Sequence, residues 1–254
     1  MKNFCIRRSM DYQEIQVEHS KYNKFYLFNN PNHEPITVIP DGCMDIQFVW
    51  QEGKGQIHLC GSFLQGSVSS IGQYDRCFGI KFNLGIIPDI DHISIEELIN
   101  NRYVLNQEGD LELPTSKMIE YLASHDRLED LVRYFVEQFG DLVFYETNHI
   151  IQKAIEEIVK TSGLVSVRHL AEKMGYSQCY ISRVFKRFMG ITLKRYASII
   201  RCQNAIRFIE DNEESIIYEQ LGYYDQAHFI NEFKRFTSYT PYNYKKHMDQ
   251  LLIV

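Results

Sequence analysis

The sequence predicts an α+β protein: a small β-barrel or sandwich with two or three following helices, then an all-α domain. Three observations carry this expectation. Short apolar runs with period-2 or β-branched and aromatic character fill roughly the first hundred residues. From Ser94 onward the apolar spacing lengthens to that of helices. In the last part of the chain one pattern, a Gly-aromatic turn followed by Phe-Lys-Arg-Phe, occurs twice, as an internal repeat would.

Strands are expected at 24–28 (KFYLF), 36–39 (ITVI), 44–50 (MDIQFVW), 56–60 (QIHLC) and 76–82 (RCFGIKF). Turn chemistry separates them: NNPN at 29–32, PDG at 40–42, EGKG at 52–55 and GQYD at 72–75. Alternation puts Cys43 and Asp45 on one side of a strand and Met44 and Ile46 on the other. The pair either lines a pocket or faces solvent. Tyr74, Arg76 and Lys81 read as surface residues, although they would also suit an anionic effector.

Helices are expected over about 94–140. Ser94 opens a short one, SIEELIN, with acids in its first turn. Thr115 begins TSKMIEYLASH. RLEDLVRYFVEQF then aligns Leu128, Leu131, Val132, Phe135, Val136 and Phe139 on one stripe, ended by Gly140. That stripe either packs on the β-domain or pairs with its copy in a homodimer, and it is too short for a sustained coiled coil.

The rest is helical, with breaks at Gly163, Gly175, Gly190 and Gly222 and a last helix opening at Pro241. The boundary between residues 1–145 and 148–254 falls near 141–148, without a flexible Gly/Ser linker. Charge divides the same way. The net charge is −6, yet residues 148–254 carry 15 Lys and Arg against 11 Asp and Glu, and residues 1–147 carry 12 against 22. A basic half suits phosphates, though this excess alone is small.

Composition narrows the function classes. With 44% hydrophobic and 24% charged residues the chain is globular. No apolar run approaches the roughly 18 residues of a membrane span. The start, MKNFCIRRSMDYQEIQ, lacks a signal-peptide core, so a cytoplasmic protein with reduced thiols is expected. Six Cys include no CxxC pair, and nine dispersed His form neither HxH nor HExxH. GxSxG, phosphate-cradling glycine loops and dinucleotide fingerprints are likewise missing from the sequence. Neither metal, cofactor nor catalytic residue is therefore expected.

The repeat is the sharpest signal. GYSQCYISRVFKRFMGIT (175–192) and GYYDQAHFINEFKRFTSYT (222–240) align, each a turn with Gly, a capping residue and an amphipathic helix. That is the plan of a helix-turn-helix. In the first unit, 100° per residue sends Ile181, Phe185 and Phe188 inward and Gln178, Cys179, Ser182, Arg183, Lys186 and Arg187 outward, behind the cap Ser177. The second unit sends Phe229, Phe233 and Phe236 inward and Gln226, Ala227, Ile230, Asn231, Lys234 and Arg235 outward. Such faces suit a major groove, where Arg pairs with guanine, Gln or Asn with adenine, and Lys with phosphate.

These residues carry a resemblance. HLAEKMGYS…YISRVFKRFMGIT, then Tyr196, Arg201 and Ala205, then LGYYDQAHFINEFKRFTSYTPYNYKK, resemble the DNA-binding domain of AraC-type transcription regulators. The resemblance implies helix-turn-helix units at about 166–189 and 214–237, joined by a helix at about 191–211, their second helices entering successive grooves of double-stranded DNA. It also implies RNA polymerase as a partner and activation as the commoner outcome. The segment NEESIIYEQ, with Tyr218 where Ala171 stands in the first unit, departs from the pattern, as do Ile230 and Asn231. Most base contacts are therefore expected from Ser177, Gln178, Cys179, Ser182, Arg183, Lys186 and Arg187. Gln226, Asn231, Lys234 and Arg235 would chiefly grip phosphate. VIPDGCMDIQFVW and FGIKFNLGIIPDI are similar to an N-terminal domain found on some members, which implies a sensor for a small-molecule effector. Rival readings are control by a protein partner or by oxidation of Cys179, and an enzyme in the β-domain.

Overall fold

The computed structural model describes residues 1–2, 4–7, 10–88, 93–105, 115–139, 144–146, 149–211, 218–248 and 251–253. Gly140, most of the expected boundary and residues 212–217, where the first helix of the second repeat was expected, lie outside the described residues.

The β-half opens with β1 (Phe4–Arg7), β2 (Asp11–Gln16), β3 (Tyr22–Asn29), β4 (Ile36–Val38), β5 (Asp45–Gln51) and β6 (Lys54–Cys60). It continues with β7 (Ser67–Ser69), β8 (Arg76–Phe82), β9 (Ile86–Pro88), α1 (Ile95–Leu98), β10 (Arg102–Leu105), α2 (Thr115–Ser124) and α3 (Leu128–Phe139). After β11 (Phe144–Glu146) come α4 (His149–Lys160), α5 (Val167–Met174), α6 (Gln178–Met189), α7 (Leu193–Glu210), α8 (Gln226–Thr237), α9 (Pro241–His247) and β12 (Leu251–Ile253).

Of the two architectures left open, the strands form a sandwich. A six-stranded antiparallel sheet runs β10-β6-β5-β8-β3-β2, and a four-stranded one runs β12-β1-β4-β7. The central strands β3, β5 and β8 are buried on both faces, which is why they read as nearly unbroken apolar runs. Register sorts their side chains by alternation. Phe25, Leu27, Ile46, Phe48, Phe78, Ile80 and Phe82 face α2 and α3. Tyr26, Phe28, Val49 and Cys77 face the smaller sheet, joined there by Phe4, Ile6, Ile36 and Val38. Gly79 leaves the space into which the Tyr26 ring fits, since a Cβ there would lie 2.0 Å from it.

The stripe on α3 resolves the same way. Leu128, Leu131, Phe135 and Phe139 pack into the sheet within this chain. Phe135 meets Tyr22, Phe25, Phe48 and Phe78 edge-on at ring separations of 5.8–6.3 Å. Val136 alone of that stripe is largely exposed, at 49%.

The sandwich also holds a buried polar cluster, and Lys81 corrects the sequence reading. Expected on the surface, it is 2% exposed and ion-paired with Asp41 and with Asp45, the latter at 3.2 Å. Burial pulls the Lys81 pKa down, but the two carboxylates more than reverse this and hold it above the usual lysine value. Tyr74 is buried as well, and Arg76 is half-buried, donating to the Leu122 and His125 carbonyls. The same alternation that placed Phe78 and Ile80 toward the helices forces Lys81 to the opposite face, which the second sheet covers.

The two halves share a joint. The Pro40-Asp41-Gly42-Cys43 turn supplies it: the Pro40 carbonyl accepts from Gln203 Nε2 at 2.8 Å, and Asp41 reaches Lys81. Gly42 has φ +78°, and a Cβ there would meet the Tyr196 ring at 2.8 Å. Gln203 also exchanges hydrogen bonds with the Lys2 backbone, at 2.8 and 2.6 Å. β12 then pairs with β1, Cys5 opposite Ile253, so the end of the described chain returns to the first strand. Among the described residues no helix is long and apolar enough to cross a membrane, and no group of three or more His, Cys, Asp or Glu could hold a metal.

Candidate nucleic-acid interface

Both repeats build the same turn. In the first, α5 is capped by Ser166, whose hydroxyl accepts from His169 N–H. α5 ends at Gly175, whose φ of +73° only glycine adopts without strain. There Gly175 N–H donates to the Glu172 carbonyl and Tyr176 N–H to Ala171. In the second, Gly222 also has φ +73°, Gly222 N–H donates to Glu219 and Tyr223 N–H to Tyr218. The hydrogen-bond pattern repeats at the spacing seen in sequence. One extra residue, Tyr224 at 90% exposure, then lengthens the second turn before its cap.

Each outward helix is started by a side-chain cap. Ser177 Oγ accepts from Tyr180 N–H at 3.2 Å, and Asp225 Oδ1 from His228 N–H at 2.7 Å. α6 buries Ile181, Phe185 and Met189, and α8 buries Phe229, Phe233 and Phe236. Each ends in a left-handed residue, Gly190 at φ +70° and Ser238 at φ +67°. Between them, α7 buries Tyr196 through Ile200 without interruption, so it passes through the helical core rather than along its surface. The Tyr196 ring meets that of Phe185 edge-on at 5.4 Å, tying α7 to α6.

The expected contact residues lie as follows. Ser177, Gln178, Cys179, Arg183, Lys186 and Arg187 are exposed along α6, and Ser182 is half-buried. Arg183 Nη2 donates to Cys179 Sγ at 3.5 Å, one helical turn away. On α8, Gln226, Asn231, Lys234 and Arg235 are exposed, while Ile230 turns partly into the core. Both faces are open to a partner, and the first carries the denser cationic set.

Glu232 is the residue that periodicity missed. It is 9% exposed and pairs with Arg201 of α7 at 3.0 Å and with Arg235 at 3.3 Å. Arg201 also lies 4.8 Å over the Tyr223 ring and donates to the Gly222 carbonyl. One buried carboxylate therefore fixes the second unit's turn, its outward helix and α7 together, and it engages Arg235. Its sequence signal was faint: an acid inside a helix that otherwise presents cations.

Residues 170–247 match a family described as a helix-turn-helix domain. Over 98 residues, 38% of this chain, the sequence is 30% identical to the probable transcription factor PqrA of Proteus vulgaris and covers 80% of it. Over 180 residues, 65% of this chain, it is 30% identical to YtdP of Bacillus subtilis strain 168, an uncharacterized HTH-type transcriptional regulator, but spans only 22% of that protein's length. The solved structure of ToxT from Vibrio cholerae superposes on 96% of this chain and 98% of its own at 14% identity and a TM-score of 0.44.

Proposed function

The chain belongs to the AraC-type helix-turn-helix transcription regulators, and on that premise we propose that it binds double-stranded DNA sequence-specifically through α6 and α8, set in successive major grooves. The observation that carries the reading is the duplicated frame: two helices with matching turns, matching left-handed ends and two solvent-facing polar flanks. Residues 148–254 act as the DNA-binding half. Gln178, Arg183, Lys186 and Arg187 dominate base reading, with Ser177, Cys179 and Ser182 at the same surface. Gln226, Asn231, Lys234 and Arg235 chiefly hold phosphate, the last restrained by Glu232.

Residues 1–145 act as the regulatory half, responsive to a small-molecule effector. The Gly42 turn bears directly on Tyr196 and Gln203, so a shift in the sandwich is felt by α7. RNA polymerase is the downstream partner, and the protein works in the cytoplasm without a catalytic step. Because the inner stripe of α3 is occupied, a homodimer through this helix uses its outer face around Val136.

Selection of bound duplexes from random DNA tests the reading. A bipartite consensus with centres about 10 base pairs apart is expected, with affinity falling as salt rises. Recovery of random sequence after repeated rounds would retire it.

A further inference from the structure

One connected part of the β-half touches the C-terminal ends of both outward helices. The loop 61–66 and the turn after α1 are laced together by hydrogen bonds. Leu64 N–H donates to Asn100 Oδ1 at 2.7 Å, Asn100 N–H to the Ser62 carbonyl at 3.1 Å, and Gly61 N–H to the Asn101 carbonyl at 3.2 Å. The loop then meets α8: Gly66 N–H donates to the Arg235 carbonyl at 2.8 Å. A Cβ on Gly66 would lie 2.4 Å from the Phe236 carbonyl oxygen, so the approach is backbone on backbone. The turn after α1 meets α6: a Cβ on Gly190 would lie 2.9 Å from Ile99 and 3.1 Å from the Ile95 carbonyl oxygen. Arg195, in the first turn of α7, joins the assembly, donating to the Leu64 carbonyl and lying 4.9 Å from the Phe236 ring centre.

A helix end packed this closely, backbone on backbone at α8 and glycine against the Ile99 side chain and Ile95 carbonyl at α6, has little room to slide. One hydrogen-bonded unit therefore braces both outward helices, α8 by a backbone hydrogen bond and α6 by close packing at Gly190, in addition to their attachments to α7. We propose that this loop-and-turn saddle positions α6 and α8 relative to each other, and so selects the half-site separation that the protein accepts. The DNA consequence rests on the function proposed above; the positioning itself does not. Two linked contacts reinforce each other only when their geometry matches that of the ligand, so a loosened saddle should leave one half-site bound and penalise the pair.

The test uses the full chain with Gly66→Val, which forces the loop off α8, and Asn100→Gly, which removes the acceptor of Leu64 N–H at a φ of +60° that glycine tolerates. Of the six cysteines only Cys179 is exposed, so one spin label goes there and a second at Asn231→Cys on α8. Pulsed electron–electron distance measurement on this pair should give one narrow separation with the natural saddle, and a broadened or displaced one with either variant. Unlabelled proteins are then titrated with duplexes recovered by selection, their spacer lengthened or shortened by single base pairs. For the selected spacing, affinity should fall about ten- to a hundredfold in the variants, the preference over altered spacers should flatten, and single half-site binding should stay unchanged. Folded variants with the parental distance distribution and spacer profile would overturn the proposal. If Gly66→Val does not fold, Asn100→Gly decides alone. If selection yields no duplex, the DNA reading fails, while the distance arm still decides the positioning.

Discussion

A residue's exposure assigns its task here more than its type does. Lys81 and Arg183 are both cations in apolar surroundings by sequence, yet one is sealed between Asp41 and Asp45 and the other is exposed on α6. Replacing Arg183 with Ala should cost about 1–3 kcal/mol of binding and relax preference at one base position, whereas Lys234→Ala should weaken all duplexes alike. Competition titrations against selected and random DNA separate the two, and equal losses on both for Arg183→Ala would remove its base-reading role. His58 makes a prediction of a different kind. It is 2% exposed, and burial, with Arg102 nearby, pulls its pKa down to about 4. Its unfolded value is near 6.5, so the unfolded chain takes up the proton first and stability rises with pH across that interval. Lowering the pH from about 6.5 to 4 should therefore remove up to about 3 kcal/mol through this side chain. His58→Gln should flatten that part of the profile in denaturant titrations, and an unaltered slope would show that other groups govern it.

Elements differ in how plainly they announce themselves. β3, β5 and β8 were legible because burial on both faces demands apolar runs, and α3 because one face is buried and the other wet. β2, β7 and β10 were not: DYQEIQ and SVS are polar, β2 is set by pairing with its neighbour β3, and β7 and β10 by partners distant in sequence. The outward faces of α6 and α8 followed from periodicity, but Glu232 did not, since Arg201 lies 31 residues away. Two substitutions probe the elements. Phe135→Ala, removing the ring that Tyr22, Phe25, Phe48 and Phe78 meet edge-on and on which Phe139 stacks, should cost about 3–5 kcal/mol in equilibrium unfolding. A loss under about 1 kcal/mol there would mean that the α3 contact is dispensable. Glu232→Ala leaves Arg201 without its buried counter-charge and should cost about 3 kcal/mol while weakening the grip of α8. Unchanged stability would assign that carboxylate to the surface instead.

Across the whole molecule, the sequence spoke of two halves but not of how they join. The charge division and the repeat were visible in composition; the saddle, the Gly42 joint and the β1–β12 pairing involve glycines and backbone groups, which carry no pattern. Deleting residues 251–254 should speed hydrogen exchange at the β1 amides and lower the melting temperature, because an edge is left unpaired. Identical exchange and melting would mean that β12 contributes nothing to the join.

That pairing also dictates an order of events during synthesis. Cys5 leaves the ribosome well before its neighbour across the ladder, Ile253, which follows every helix described above. A nascent chain thus waits with one margin of its smaller sheet open while the helices behind it assemble from short-range contacts, which form quickly. Closing the ladder must wait until those helices have been made, and a cell growing fast, with many ribosomes on one message, holds these unfinished margins near one another.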